Sequence, residues 1–476
     1  MKGFLISLVL GFNYFVGVYY GIFNLLYSLL LTVSLFVVLR YIRRIKYIPF
    51  DDYRSSPKTP PLSLIIPAFN EENTILRTIQ FALAVDYSAF EVLVINDGSE
   101  DKTLQTIIDA YRLNKIDLVH RNFLKTKPVR GFYYNPEIPK LLLVDKERAN
   151  KADALNSGIN VSRSPYFCSV DADSLLDKES LIRLITPILE SNVPVVACGG
   201  VVRVLNGVRF QNTTIKEVDL PKKALPTFQI VEYLRAFLFG RVGWDVVNSL
   251  LILSWAFTLF NKAAVLEVGG FRPGNITEDM EIIVRLHKYY LKNKKPYLIK
   301  FVSDPICWTE VPEKIRMLGR QRRRWQLGLM QTLFQHKTMI FNPRYGKIGI
   351  FVMPYYVFFE MVGPLVEVLG YIVVPLAYLL GLLNFEFLVL FLILAVFFGI
   401  FLSTVGIFLE EITYRRYPKW SNLFKLLLFG VFENFGYRQM NSFWRTQAFF
   451  QFLFGKRKWE YVKGKGRGFA DGDKGA

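Results

Sequence analysis

Cysteine and histidine are almost missing from this sequence, with three of each in 476 residues. Cys168, Cys198 and Cys307 stand far apart, as do His120, His287 and His336, so neither type makes the spacing of a zinc or haem site. A sparse, odd set of cysteines argues against a disulfide framework and fits a reducing compartment. Acidic side chains are in deficit, 40 against 59 Lys and Arg, which gives a formal charge of +19. No small-residue cleavage site follows the apolar run from Phe4 to Leu39. That run is too long for a cleavable signal and reads as an anchor. There is no internal repeat.

What is abundant is apolar. Hydrophobic residues make up 52% and aromatics 16%, with 42 Phe and 25 Tyr, more than an ordinary soluble domain carries. The positive charge follows the apolar segments. Arg40, Arg43, Arg44 and Lys46 close the first run, and Lys456, Arg457, Lys458, Lys463, Lys465 and Arg467 lie near the other end. Basic clusters beside membrane helices mark the cytoplasmic side and contact anionic lipid. The charge is therefore assigned to membrane lipids, not to nucleic acid.

The chain divides into apolar, polar and apolar thirds. Residues 1–45 are expected to form a transmembrane helix with a basic stop, spanning from about 14 to 40. Phe4–Gly11 is expected in the interface or as a tight second span. Residues 58–310 have the texture of an α/β domain. Residues 311–345 read as amphipathic interfacial helices, and 346–412 as transmembrane helices. Within these, 348–383 give a span plus an interfacial helix kinked at Pro354, Pro364 and Pro375, and 386–409 a second span. Residues 413–463 read as amphipathic helices, with an interfacial helix or shallow hairpin over 422–454. Residues 464–476 read as a disordered tail.

In the polar third, short apolar runs predict buried strands at Ser63–Ile66, Val92–Ile95, Leu141–Val144, Phe167–Val170 and Val195–Cys198. Helical patterns follow several of them, at Asn73–Val85, Lys102–Asn114 and Lys151–Asn160. This alternation predicts a mostly parallel sheet with crossover helices. Such sheets bind ligands beyond the carboxyl ends of their strands, and the informative polar residues fall there. Pro67-Ala68-Phe69-Asn70-Glu71-Glu72 offers a ring for base stacking and an acid. Asn96-Asp97-Gly98-Ser99 offers Asp97 to a nucleobase or ribose, although the same four residues are ordinary turn chemistry. Asp171-Ala172-Asp173 presents two carboxylates suited to Mg²⁺ or Mn²⁺ with phosphate oxygens completing the shell, or else a solvated turn. Lys151 opens a helix against the dipole and calls for an anion, with a plain surface lysine as the alternative. Thr277-Glu278-Asp279 is a good helix start, and also a place for Asp279 as general base. Gln321-Arg322-Arg323-Arg324-Trp325 reads as a headgroup-level anchor, or as Arg324 for a diphosphate and Trp325 for a sugar face.

Taken in order, Phe69–Glu71, Asp97, Lys151, Asp171 with Asp173, Thr277–Asp279 and Gln321-x-x-Arg324-Trp325 resemble the family-2 glycosyltransferases. The pattern is most similar to that of the processive membrane synthases of cellulose, chitin, hyaluronan and poly-N-acetylglucosamine. The resemblance covers about residues 60–330 and the flanking helices. It implies a GT-A fold over 58–310 and inverting transfer from a nucleotide-sugar, UDP-linked, to a glycan acceptor. It implies that Asp97 holds the uracil end with Phe69 and Glu71 nearby, that Asp171 and Asp173 bind the metal and diphosphate, and that Lys151 contacts the diphosphate. Asp279 is then the base, with Thr277 and Glu278 beside it, while Gln321, Arg324 and Trp325 frame the acceptor and pyrophosphate. Ser254-Trp255-Ala256-Phe257, ahead of Gly269-Gly270-Phe271, is similar to the acceptor-site segment, with Trp255 where a glycine is usual.

The expected protein is thus an integral protein of the cell membrane, with a cytoplasmic catalytic domain and processive polysaccharide synthesis as its work. Single-sugar transfer to a polyprenyl phosphate or lipid is the alternative. Glu360 and Glu367, seven apart in the apolar third, are expected on one helix face, toward a cavity, a partner or the headgroups. A transporter or receptor with an α/β domain would need no metal-type carboxylates beside a base.

Overall fold

The computed structural model describes residues 2–254, 256–417 and 419–455. Trp255, the second basic cluster and the tail fall outside them. The chain forms two units: an α/β unit of residues 48–217 and 250–310, and a helical unit of residues 2–47, 218–249 and 311–455. Residues 218–249 lie inside the stretch read from sequence as one domain but group with the helices.

The α/β unit contains β1 (Leu62–Ala68), β2 (Phe90–Asp97), β3 (Asn114–Ile116), β4 (Val129–Tyr134), β5 (Leu141–Lys146), β6 (Tyr166–Val170), β7 (Ser174–Leu176), β8 (Val195–Val204), β9 (Val208–Gln211), β10 (Thr214–Val218), β11 (Phe257–Asn261) and β12 (Leu298–Thr309). Ten of them form one sheet in the order β3-β4-β5-β2-β1-β6-β11-β8-β12-β7, and β9 pairs β10 separately. All five predicted strands are present, each carrying its predicted apolar run. Leu64, Ile65, Ile66, Val92 and Leu93 are fully buried, as in a sheet covered on both faces.

The sheet is mixed, which corrects the mostly parallel expectation. Its centre, β5-β2-β1-β6, is parallel, as is β8–β12. β3–β4–β5, β6–β11–β8 and β12–β7 are antiparallel. The stretch from Tyr134 to Leu141 is too short for a crossover, so β4 and β5 must run in opposite directions. In the parallel centre, Ala68 is level with Asn96, and Asp97 with Lys146. The carboxyl ends of neighbouring strands therefore meet at one edge.

In the helical unit, Lys2–Ile45 is one helix of 44 residues. Phe4–Gly11 is continuous with it and forms neither a separate interfacial segment nor a second span, because no Gly-Pro break interrupts the run. Ile6–Ile45 and Phe385–Thr413 are long and apolar enough to cross a membrane. Ile348–Met361 and Gly363–Leu379 pass that test together, with a 41° bend between them. Of the three prolines expected to kink this region, Pro364 sits at the bend. Proline cannot donate to the carbonyl four residues back, which is Glu360's, and Arg445 Nη2 donates to that oxygen instead at 2.6 Å.

Residues 422–454 do not form a single helix. They contribute Trp420–Phe432 and Arg438–Leu453, separated by non-helical Phe435 and Gly436. Two arginines of the second helix pair with acids. Arg438 Nε meets Glu367 at 2.7 Å, and Arg445 Nη2 meets Glu360 at 3.3 Å. Glu360 and Glu367 thus have protein partners on one helix.

Candidate functional site

The loop after β1 is stitched to the loop after β2. Asn70 adopts a φ of 56°, which its short amide tolerates. Its Oδ1 accepts from Glu100 N at 2.8 Å, and its own N donates to Ser99 Oγ at 3.1 Å. Glu71 N donates to Thr103 Oγ1 at 2.8 Å. Gly98 has a φ of +64°, and a Cβ there would stand 2.7 Å from Arg148 N. Asn96 and Asp97 thus end β2, with Asp97 level with Lys146 at the next strand's end, and the chain leaves the strand at Gly98.

Asp97 is buried and does not wait alone. Its Oδ1 accepts from Lys146 Nζ at 2.6 Å and from Ala149 N at 3.1 Å. Burial pushes its pKa above the ordinary carboxylate value, against the pull of Lys146. Lys146 is fully buried and also meets Asp153 Oδ1 at 2.8 Å. Phe69 lies beneath the Arg148 guanidinium, 4.2 Å from its ring centre.

The helix Lys151–Val161 starts with a capped turn, Asn150 Oδ1 accepting from Asp153 N at 3.1 Å. Lys151 Nζ is paired with Asp171, so its partner here is a carboxylate of the protein. Asp171 follows β6, and Thr78 Oγ1 holds the loop by donating to Ala172 O at 2.8 Å. Ser174 Oγ donates to Asp173 at 3.3 Å. Glu71 accepts from Thr74 Oγ1 at 2.8 Å.

Glu71, Asp171 and Asp173 set three acids against one ammonium, and the surplus charge shows in the acids. Burial, and next the charge of Asp173, push Glu71 up to about 8. Burial and the charge of Asp171 raise Asp173. An all-oxygen set of this kind suits Mg²⁺ or Mn²⁺ better than a softer ion. Among the described residues no group of three or more His, Cys, Asp or Glu forms a ready cage. Asp171 and Asp173 would hold such an ion only with further oxygens, from phosphate and water, completing its shell.

Phe69, Glu71, Asp97, Lys151, Asp171 and Asp173 are thus gathered at the carboxyl edge of β5-β2-β1-β6. The segment before β11 arrives at the same edge, because Phe257 pairs with Val170. Thr277 precedes the helix Glu278–Lys292 and makes no side-chain cap there, so capping is not its use. Glu278 is buried and Asp279 half-buried. The segment leading to them is fixed at Phe271, whose N and O both bond Asn156 at 2.8 Å, on the helix that Lys151 opens. Behind Asp279, fully buried Glu281 meets Arg285 at 2.7 Å and Arg272 at 3.3 Å.

Gln321, Arg324 and Trp325 belong to the helical unit, on Ile315–Gln335. Arg324 and Trp325 are exposed and Gln321 half-buried. Arg322, indistinguishable from its neighbours in the sequence pattern, is buried. It donates to Glu232 Oε2 at 2.6 Å, and its guanidinium lies 4.4 Å from the Trp325 ring centre. Sequence reasoning also missed Lys146, Asp153 and Arg148. The available signal was the charged pair Asp145-Lys146 ending an apolar run, as Asp97 ends the run before it.

Two family models match the sequence: glycosyl transferase family 2 over residues 63–234, and glycosyl transferase family group 2 over residues 166–429. Among curated proteins, a poly-beta-1,6-N-acetyl-D-glucosamine synthase of Staphylococcus epidermidis is 27% identical over 274 residues, covering 58% of this chain and 56% of that one. A synthase of the same name from Staphylococcus aureus is 28% identical over 277 residues, with the same coverage. The match thus spans little more than half of these relatives. Among solved structures, a mannosyltransferase of Pyrobaculum calidifontis in complex with GDP-Man and Mn²⁺ is 17% identical with a TM-score of 0.48, covering 87% of this chain and 99% of that one. A likeness that distant carries no argument about chemistry. The second family model takes in more than half of the chain, running from β6 into the helical unit, and on that ground the protein belongs to glycosyl transferase family group 2.

Proposed function

We propose that this protein transfers a sugar from a UDP-linked donor to a growing glycan, with inversion, at the cytoplasmic face of the cell membrane. The observation that carries the reading is the meeting of Glu71, Asp97, Lys151, Asp171 and Asp173 at the ends of four adjacent parallel strands. Asp97 takes the base and Phe69 lies beside it. Lys151 exchanges Asp171 for the donor's diphosphate and neutralises charge as the nucleotide leaves. A divalent ion, when bound by Asp171 and Asp173, supplies further neutralisation of that diphosphate. Asp279 accepts the proton of the acceptor hydroxyl as its oxygen attacks the anomeric carbon, and a single displacement inverts that centre. The exposed Arg324 and Trp325 are assigned to ligand contact. The names of the matched synthases favour N-acetylglucosamine as the sugar and a polymer as the product, so processive synthesis is preferred over one transfer to a lipid.

The test uses the full chain in nanodiscs with a panel of nucleotide sugars and Mn²⁺ or Mg²⁺. UDP release and product mass are read together. Asp279→Asn is expected to lower turnover by about 10²–10⁴-fold while UDP still binds. Release that persists in both Asp279→Asn and Asp173→Ala sinks the reading. A mass ladder supports processivity, and a single added sugar on lipid overturns it.

A further inference from the structure

Lys146 closes β5 with no exposed surface, and three protein oxygens enclose its ammonium. Nζ lies 2.6 Å from Asp97 Oδ1, 2.8 Å from Asp153 Oδ1 and 2.6 Å from Glu147 O. With two hydrogen bonds, a close ion pair and no exposed surface, the ammonium is not open to a ligand. Its position follows from the sheet register, which sets it opposite Asp97. Asp153 is fixed in turn, since both its oxygens accept from Lys127 N at 3.2 Å. A buried cation that joins two acids 56 residues apart in sequence, with a backbone carbonyl as its third neighbour, acts through them.

We propose that Lys146 is a positioning residue for donor recognition: by saturating Asp97 Oδ1 together with Ala149 N, it fixes the carboxylate so that Oδ2 faces the base as an ionised acceptor, which selects uracil over cytosine. The inference rests on the reading above that Asp97 meets the base. Uracil presents an N3–H donor at its pairing edge, and a carboxylate oxygen accepts it. Cytosine presents a bare N3 acceptor at the same place, which a carboxylate repels and a protonated acid welcomes. Without the ammonium, Asp97 is a buried acid with one backbone donor. It then either takes up a proton or turns, and each outcome weakens the uracil contact and relaxes the discrimination. Burial already raises the proton affinity of Asp97 with Lys146 in place, so the ammonium is what opposes protonation. The same residue ties the base end of the site to Asp153, on the first turn of the helix that carries Lys151. A disturbance at Lys146 therefore reaches both ends of the donor, but only the Asp97 end distinguishes the bases.

The test is binding of UDP and of CDP to the full chain in nanodiscs, by calorimetry, for wild type, Lys146→Met and the double variant Lys146→Met/Asp153→Asn. The double variant removes the ammonium and one of its two carboxylates together. It leaves no extra buried charge, and so keeps the question open to test if the single variant fails to fold. Both variants are expected to weaken UDP by about 10- to 100-fold, the range of a lost charge-assisted hydrogen bond, and CDP by less than about threefold. The UDP-to-CDP preference then falls at least about tenfold. A merely structural lysine would weaken both nucleotides alike and leave the ratio unmoved. A folded variant that keeps the wild-type ratio overturns the inference. A wild type that does not prefer UDP overturns it together with the donor reading beneath it, whereas a preference kept by both wild type and variant overturns the Lys146 inference alone.

Discussion

Lys151 and a divalent ion should compete for Asp171, and the competition has a measurable size. The two side chains are paired in direct contact and retain about 30% and 28% of their exposure. Unit charges about 4 Å apart attract by about 4 kcal/mol at an effective dielectric near 20. Side-chain entropy and partial solvation reduce this to roughly 1–3 kcal/mol. An ion approaching Asp171 in the nucleotide-free protein must first break the pair. Lys151→Met removes the competitor, so Mn²⁺ should bind the nucleotide-free variant about tenfold more tightly, equivalent to about 1.4 kcal/mol. UDP should move the other way, losing about tenfold or more with its phosphate contact. The assay is titration of free Mn²⁺ by electron paramagnetic resonance on metal-stripped protein in nanodiscs, with UDP binding by calorimetry beside it. The opposed signs are the diagnostic feature, because a general disturbance of the loop weakens both ligands. Mn²⁺ affinity unchanged or lower in Lys151→Met would refute the reasoning.

Glu71 is pushed up to about 8 from an ordinary 4.5, so between those values the folded protein holds a proton that the unfolded chain has released. Stability of the metal-free protein should fall as pH rises from about 4.5 to about 8. Mn²⁺ should then raise the unfolding midpoint more at pH 8 than at pH 6, and equal shifts in a thermal scan would exclude this. Glu281→Gln leaves Arg285 buried without its counter-ion and should cost about 3–5 kcal/mol, lowering the midpoint by about 6 °C or more; an unchanged melt would count against the network. Arg322→Met should destabilise the protein, because it leaves Glu232 without its buried cation. Arg324→Met should leave the melt alone and lower sugar transfer. If the two variants behave alike, the assignment of inner and outer arginines fails.

The strands were legible because each buried strand of a covered sheet is an unbroken apolar run, and Val92–Ile95 or Leu141–Val144 admit few other readings. The acids at their ends were legible for the same reason: Asp97 and Asp171 come where an apolar run stops, which in a parallel sheet is the binding edge. The antiparallel return of β11 was not legible. Its direction depends on pairing with β6 across 86 residues of intervening chain, and local pattern carries no such information. Lys146 was hidden for a similar reason, since its contact with Asp97 is set by the register of β5 on β2. Thr277 illustrates a different limit. Its type announces a helix cap, and the structure does not use it as one.

The helical unit shows why identical residues in one motif take different roles. Arg322, Arg323 and Arg324 differ only in angle around Ile315–Gln335, and a helix turns about 100° per residue. One therefore faces Glu232, the next reaches Gln447 at 3.1 Å, and the third faces outward. Helices in an apolar environment have little hydrophobic reason to prefer one rotation over another. The acid–base contacts supply the preference, because a rotation of one residue strands a charge away from water. Glu232 with Arg322, Glu367 with Arg438, Glu433 with Arg235, and Glu360 with Arg445 each join helices distant in sequence. The Arg445 contact adds a second constraint, since it also satisfies the carbonyl that Pro364 leaves without a donor. The basic excess that first suggested lipid thus has a second use. Part of it sets the rotation of the helices, and the outward position of Arg324 and Trp325 follows from where Arg322 is held.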